Sequence, residues 1–340
     1  MVTVNTIQEL CSLDLARLVK TTFQKALQNG QLVFSPSKHE HYTDPQTGME
    51  CELMVVEGLR KRPINRPTQP GSDERISNDK IEEVKAKNPF MKPEPELTLI
   101  DTLLHDYRLI LNKFPNTEEH FLMVTKEFMQ QDTLLQPLEL ELMLTVLRKL
   151  NDSDDKFFAF FNSGPESGYS QFHKHIQFMK LPPGFHVYQN SLVENSDYYI
   201  PTETSNSKKP LVNKNLTFKH FVLKLPKTFA SEEDQQSTLA LMYMYLFKRV
   251  LNVFREYGVD SSKLSYNFLM MENWMMIIPR RNAFFDGIWQ NSLGFMGLFT
   301  TKDETVKSKI LHHGPGTILR ECGFELDPTD DNHKYDEYSY

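Results

Sequence analysis

The residues with the most chemistry to offer in this 340-residue chain lie between Asn162 and Gln177, which reads Asn-Ser-Gly-Pro-Glu-Ser-Gly-Tyr-Ser-Gln-Phe-His-Lys-His-Ile-Gln. Ser163 to Ser170 is a glycine and serine turn, and the backbone N–H groups and hydroxyls of such a turn can surround a phosphate without side-chain obstruction. From Gln171 to Lys180 the sequence alternates as a strand does, with successive side chains on opposite faces. His173, His175 and Gln177 therefore share one face, and Phe172, Lys174, Ile176 and Phe178 take the other. Near pH 7 an imidazole keeps a free lone pair, so a histidine in such a row can attack phosphorus and carry a nucleotidyl group. A second attack on the same phosphorus releases it: by water in a hydrolase, by another phosphate in a transferase.

Two plainer uses of these residues compete. The histidines could make ordinary hydrogen bonds on a half-buried strand, or they could bind a metal. Zinc needs a third and a fourth ligand at workable spacing. Here Cys11, Cys51 and Cys322 are scattered, and His186 and the His312-His313 pair have no partner motif. Gln177, a weak metal ligand, stands where a third same-face histidine would help most. No metal-ligating residues are expected, and phosphate handling is the preferred reading. The residues alone do not decide whether His173 or His175 attacks.

Histidine, any residue, histidine, any residue, glutamine after a Gly-x-Ser turn resembles the active-site motif of the transferase branch of the histidine-triad superfamily, which includes galactose-1-phosphate uridylyltransferase. The wider string, running on into Leu181-Pro182, is more similar to that of the fungal diadenosine tetraphosphate (Ap4A) phosphorylases. The uridylyltransferases usually carry proline where this chain has Lys174. The resemblance covers roughly Ala26 to Gly323 and implies two fused histidine-triad-like halves with a site fed from both. It implies an ATP adenylyltransferase, in which Ap4A and inorganic phosphate give ADP and ATP through an adenylyl-histidine. Related transfers between ADP and small anions such as sulfate are implied too, with a divalent cation, magnesium first, bound along with the substrate.

The resemblance selects His175 as nucleophile, leaves His173 to orient the site or contact phosphates, and gives Gln177 a hydrogen bond to a non-bridging oxygen. It makes Lys61 and the Asn112-Lys113 pair nucleotide or phosphate contacts. Asn162, Gly168, Tyr169, Ser170 and Gln171 would hold the attacked phosphate and its ribose, and Asn291, Ser292, Leu293 and Lys302 would contribute from the second half. The competing functions are a noncatalytic nucleotide sensor and a hexose-1-phosphate uridylyltransferase. Intact His173, His175 and Gln177 argue against the first; Lys174 and the absence of spaced zinc ligands argue against the second.

The elements that must position these residues follow from periodicity. Thr6 to Gln28 has helical spacing that Gly30 ends, and Leu32 to Phe34 and Leu53 to Val56 read as short strands. Residues 67–96, rich in proline and charge, read as an exposed loop. Leu97 to Ile100, Tyr107 to Phe114 and Phe121 to Thr125 read as strands, a helix starts at Pro137, and the strand Phe157 to Phe161 delivers the chain into the turn. The second half repeats this order. Phe218 to Leu225 is a strand, Ser231 an N-cap with acids in the first turn, Leu239 to Val253 a helical stripe, and Ser265 to Met270 and Trp274 to Ile278 a strand pair. Where the first half has its histidines, the second has Trp274, Met275, Met276 and Ile277, which read as core packing. Ser292 to Phe299 reads as a strand, and Asp303 to His312 as a helix that Gly314-Pro315-Gly316 interrupts.

Such a duplicated unit implies an α+β protein of mainly antiparallel sheet flanked by helices. The halves are 1–205, with the histidine strand, and 206–324, histidine-triad-like without the His-x-His-x-Gln histidines, followed by an acidic tail over 325–340. A chain of this length buries roughly three quarters of its unfolded surface, so it needs neither disulfide nor metal to fold. The formal charge of -7 argues against broad nucleic-acid binding, whose affinity comes from lysine and arginine on phosphates, but leaves room for a small phosphorylated ligand. Two basic clusters, Arg60, Lys61, Arg62 and Arg66, and Arg280 and Arg281, are open to that use or to plain solvation. No window is apolar enough to span a membrane, no signal peptide is evident, and three cysteines, an odd number without a Cys-x-x-Cys, argue against a disulfide framework and fit a reducing compartment. The expectation is a monomeric cytosolic protein, with the nucleus as a second location.

Overall fold

The computed structural model describes residues 2–34, 36–61, 81–151, 155–201 and 208–329. In chain order its elements are β1 (Thr3–Val4), α1 (Ile7–Ser12), α2 (Leu15–Gln28), β2 (Lys38–Thr43), β3 (Glu50–Val55), α3 (Ile81–Ala86), β4 (Thr98–Leu103), β5 (Tyr107–Leu111), β6 (Phe121–Thr125), α4 (Pro137–Leu150), β7 (Phe157–Ser163), β8 (His175–Lys180) and α5 (Tyr188–Glu194). The second half continues with β9 (Phe221–Lys224), α6 (Glu232–Glu256), β10 (Tyr266–Met271), β11 (Trp274–Pro279), β12 (Phe284–Phe285), β13 (Ile288–Trp289), β14 (Leu298–Thr301), α7 (Glu304–His313) and α8 (Pro315–Cys322).

The sequence repeat becomes a symmetric sheet. Nine of these strands are ordered β1-β4-β5-β6-β8-β7-β10-β11-β9, antiparallel throughout except where β1 pairs with β4. The run β6-β8-β7 of the first half is mirrored by β9-β11-β10 of the second. The halves meet at the β7–β10 seam, where Asn162 lies opposite Asn267 and Phe161 opposite Phe268. One face carries α1, α2, α4 and α6 on an apolar layer that includes Ile176, Phe178, Ala159 and Phe161. The opposite face packs Phe158, Phe160, Met179, Met276 and Ile278 against the β14-β3-β2 sheet, α7 and α8. Because parity alternates, His175 and Gln177 belong to this second face.

Local signals place the two long inner helices. Pro137 opens α4, and Gln136 and Glu139 form a reciprocal capping box. Ser231 caps α6 by accepting from the Asp234 N–H, with Glu232, Glu233 and Asp234 against the helix dipole. Elsewhere the structure corrects the sequence reading. The first helix is broken at Leu13, because Asp14 caps a new helix through the Arg17 N–H. Leu32–Phe34 is not a strand. Residues 292–299 form a 3-10 turn over Gly294–Met296 before β14, since Gly297 takes φ 96. The histidine strand begins at His175; His173 makes only an isolated bridge to Gln130. Of the expected 67–96 loop, residues 81–96 are described and are partly built in, with α3 and a buried Phe90, while 67–80 lie outside the described residues. The expected tail starts as structure: the Leu326 N–H donates to the Thr217 carbonyl, and Glu325 bridges to Phe218. Residues 330–340 lie outside the description.

Candidate active site

Two glycines shape the turn between β7 and β8. Gly164 and Gly168 have φ 86 and 80, and a Cβ on them would sit 2.1 Å from the Leu264 carbonyl oxygen and 2.2 Å from that of Gln290. Only glycine tolerates both the left-handed backbone and the approach of the second half. The turn is pinned from that side: Trp289 Nε1 donates to the Gly168 carbonyl at 3.1 Å, and the Glu166 N–H to Ser265 Oγ at 2.9 Å. Arg280, expected in a surface cluster or a ligand contact, is instead fully buried. It donates to the carbonyls of Ser167, Gln290, Cys322 and Asn282 and to Asn267 Oδ1. Buried and spent on the backbone, it is a structural cation of the seam.

The two histidines are held differently. Asn88 Nδ2 donates to His173 Nδ1 at 2.6 Å, and His173 Nε2 meets Thr125 Oγ1 at 2.8 Å, so both ring nitrogens are engaged by protein. Asn88 is oriented in turn by the Phe90 N–H, which donates to its Oδ1. Burial pushes the His173 imidazole down to about 4, which keeps it neutral. His175 Nδ1 donates to the His173 carbonyl at 2.8 Å. A carbonyl only accepts, so Nδ1 carries the proton and Nε2 the lone pair. Phe90 lies over both rings, with centroids 5.8 Å from His173 and 5.5 Å from His175.

Lys174 points the other way, into the helical layer. It is 1% exposed and donates to Glu139 Oε2 at 2.7 Å and to the Leu134 carbonyl at 2.8 Å. Burial pushes the Glu139 carboxyl up and the Lys174 ammonium down, each opposed by the partner's charge. The strand that carries the histidines is thereby tied to the first turn of α4.

A cavity of about 360 Å³ opens beside Gln177. Of the expected contacts it brings together Asn162, Gly168, Ser170, Gln177, Asn291 and Lys302, and it adds Asn116, Phe284, Trp289 and Gln290. Asn162 is fixed by its oxygen, which accepts from Asn267 Nδ2 at 2.8 Å and from Ser292 Oγ at 2.6 Å. Its buried Nδ2, like Asn116 Oδ1, meets no hydrogen-bond partner among the described residues. Ser292 and Leu293 are buried supports of this wall rather than part of its surface. Tyr169 is buried edge-on to Phe172, and neither it nor Gln171 lines the cavity. His173 and His175 are not among its lining residues, and three other expected contacts are outside it. Asn112 is buried beside His120, Lys113 pairs with Glu94 at the surface, and Lys61 is exposed at the end of a 3-10 turn. Arg62 and Arg66 lie outside the described residues.

Four participants are absent from the sequence reading. His120, fully buried, reaches Gln177 Oε1 at 3.2 Å. Gln131 accepts from the His175 N–H at 2.8 Å and donates to the Asn162 carbonyl at 2.9 Å, bridging β7 and β8 where they diverge. The other two are Phe90 and Asn88. His120 had one available signal: counted back from Leu122 and Val124, it falls on their face of β6.

Comparison with known proteins agrees with this architecture. The family model described as the Ap4A phosphorylase N-terminal domain matches residues 6–195, and that of the ATP adenylyltransferase C-terminal domain matches residues 214–325. Two proteins of Saccharomyces cerevisiae are similar along nearly their whole length. Protein APA1 is 33% identical over 339 residues, covering 96% of this chain and 98% of that one. Diadenosine 5',5'''-P1,P4-tetraphosphate phosphorylase 2 is 32% identical over 343 residues, covering 96% and 99%. The crystal structure of yeast Ap4A phosphorylase Apa2 in complex with AMP superposes with a TM-score of 0.77 at 29% identity, covering 93% of this chain and 98% of that one. Its complex with Ap4A gives 0.75 at 29%, covering 96% and 99%. With matching models over both halves and relatives above 30% identity across the full fold, this chain belongs to the Ap4A phosphorylase (ATP adenylyltransferase) family.

Proposed function

We propose that this chain is a nucleotidyltransferase that phosphorolyses Ap4A with inorganic phosphate to ADP and ATP, with His175 as the nucleophile. The observation that carries the assignment is the 2.8 Å bond from His175 Nδ1 to the His173 carbonyl. It puts the reactive lone pair on Nε2 and supports the positive charge that ring acquires when it is adenylylated. His173, with both nitrogens engaged, supports the site through its backbone carbonyl and its neutral ring. Nε2 of His175 attacks the α-phosphorus, the bond from that phosphorus to the departing ATP oxygen breaks, and adenylyl-His175 forms. Phosphate then attacks the same phosphorus, the P–N bond breaks, and ADP leaves with the imidazole regenerated. Gln177 donates to a non-bridging oxygen, and a ligand oxygen in the cavity is the partner that Asn162 Nδ2 lacks.

A divalent cation is part of the proposal, but it comes with the substrate. Among the described residues no three His, Cys, Asp or Glu side chains cluster to hold a metal, and no carboxylate lines the cavity. Magnesium commonly sits on substrate phosphates in this way, where it would offset their charge. Sulfate is the natural second acceptor anion. We place the enzyme in the cytosol as a monomer; no described helix is long and apolar enough to cross a membrane.

The test is incubation with Ap4A and Mg²⁺, with and without phosphate, followed by separation of the nucleotides. Phosphate-dependent ADP and ATP in equal amounts, and a label from adenylate trapped on His175, support the reading. Phosphate-independent cleavage would make the chain a hydrolase. Nucleotide binding without cleavage would make it a sensor.

A further inference from the structure

His120 sits outside the His-x-His-x-Gln row, yet it is the buried group that touches Gln177. Each ring nitrogen faces a defined group. The Asn116 backbone N–H donates to Nδ1 at 3.3 Å, and Nε2 lies 3.2 Å from Gln177 Oε1. An N–H arriving at Nδ1 requires a lone pair there, so the neutral ring carries its proton on Nε2 and donates it to Oε1. Asn112 Nδ2 lies 3.5 and 3.4 Å from the two ring nitrogens. The in-plane lone pairs of an imidazole diverge, so a donor nearly equidistant from both is aligned with neither and leaves this tautomer in place.

A glutamine amide has two ends of opposite polarity and similar shape. With Oε1 turned to a buried N–H, the NH₂ is the end Gln177 presents to the cavity it lines. The reverse rotamer would set two N–H groups against each other inside and bring a carbonyl oxygen toward phosphate oxygens outside, two repulsions at once. We infer that His120 is a positioning residue: through its Nε2–H it holds Gln177 with the amide NH₂ toward a non-bridging oxygen of the reacting phosphate. This rests on the reading that Gln177 contacts that phosphate. The chain of orientation runs from a backbone amide, through an imidazole tautomer, to a side-chain amide.

The discriminating experiment uses the two diastereomers of Ap4A that carry sulfur on the reacting phosphorus, because an amide donor bonds oxygen better than sulfur and so distinguishes them. Turnover, KM and diastereomer ratio are measured for wild type, His120→Leu, His120→Gln, Gln177→Ala and the Gln177→Ala/His120→Leu double variant. His120→Leu should lower kcat by ~10²- to 10³-fold with little change in KM, the usual loss for one stabilising donor, and should shift the diastereomer ratio as Gln177→Ala does. His120→Gln, which can still donate to Oε1, should recover most of the activity and the ratio. In the Gln177→Ala background, His120→Leu should cost nothing further per folded molecule. This comparison holds even if His120→Leu folds poorly, since both halves are normalised to folded protein. A wild-type ratio in His120→Leu alongside a changed one in Gln177→Ala would overturn the role of His120. An unchanged ratio in Gln177→Ala would instead remove the phosphate contact on which the inference stands.

Discussion

Replacing Lys174 with methionine keeps the length of the side chain and removes the charge that faces Glu139. Both residues are 1% exposed, and Nζ–Oε2 is 2.7 Å. After the change, the carboxylate retains the Gln136 N–H at 2.7 Å but no cation. Breaking one side of a buried pair typically costs ~3–5 kcal/mol, because an uncompensated charge stays buried. The loss should depend on pH. Burial already raises the Glu139 carboxyl, and without Lys174 it rises further. The folded variant then binds a proton that the unfolded chain has released, so its stability falls as pH rises above the ordinary carboxylate range. Urea unfolding of wild type, Lys174→Met and Lys174→Met/Glu139→Leu at two pH values measures this. The double variant should regain about 2–3 kcal/mol of the loss, short of full recovery because the Leu134 carbonyl and the Gln136 N–H lose partners. A single variant within about 1 kcal/mol of wild type, with an unaltered pH dependence, would refute the reasoning.

Phe90→Ala uncovers the face of His175 and should raise phosphate-independent release of AMP from the adenylylated enzyme; an unchanged ratio of AMP to ADP product would show that the ring does not exclude water. Burial brings both His173 and His220 down to about 4 from an ordinary 6.5. Between those values the unfolded chain binds more protons, so stability present above pH 6.5 is lost as pH falls toward 4, at ~1.4 kcal/mol per pH unit for each group. A His220→Leu variant, whatever its absolute stability, should show that slope reduced by one proton in pH-dependent unfolding. Gly168→Ala should cost ~2 kcal/mol or more, from left-handed backbone strain and the 2.2 Å approach to the Gln290 carbonyl, and should lower turnover by displacing the turn. Unfolding and nucleotide separation on one preparation test both parts.

The features readable in the sequence are those a residue announces within a few positions of itself. The face shared by His175 and Gln177 follows from parity, the starts of α4 and α6 from Pro137 and Ser231, and the repeat from the recurrence of strand, helix and paired strands. What was lost depends on pairing across the sheet. His120 shares a face with Leu122, but only the β6–β8 register, with Leu122 opposite Gln177, puts it against the glutamine. Phe90 and Asn88 sit in a segment whose composition reads as solvent-exposed. A single phenylalanine over the Ile110, Leu122 and Val124 patch, with one asparagine on His173, is enough to dock it. Arg280 misled for the opposite reason: beside Arg281 it looks like a surface charge, while five carbonyl-type acceptors waiting at the seam are invisible in one dimension.

The seam also gives the second half, which lacks the His-x-His-x-Gln row, a part in the site. Asn162 belongs to β7, yet its oxygen is held by Asn267 on β10 and by Ser292, both from the second half. Its buried Nδ2 is thus set toward a cavity whose wall includes Trp289, Asn291 and Lys302. The Gly168 turn leans on Gln290 and Trp289, and Arg280 ties Ser167 and Gln290 together from beneath. The half without the His-x-His-x-Gln row therefore shapes the turn and the cavity wall of the half that carries it. Its strand β11, with Trp274, Met276 and Ile278 in the core, needs apolar bulk where β8 needs imidazole and amide. The two equivalent strands thus carry opposite chemistry at matching hydrogen-bonded positions in the sheet.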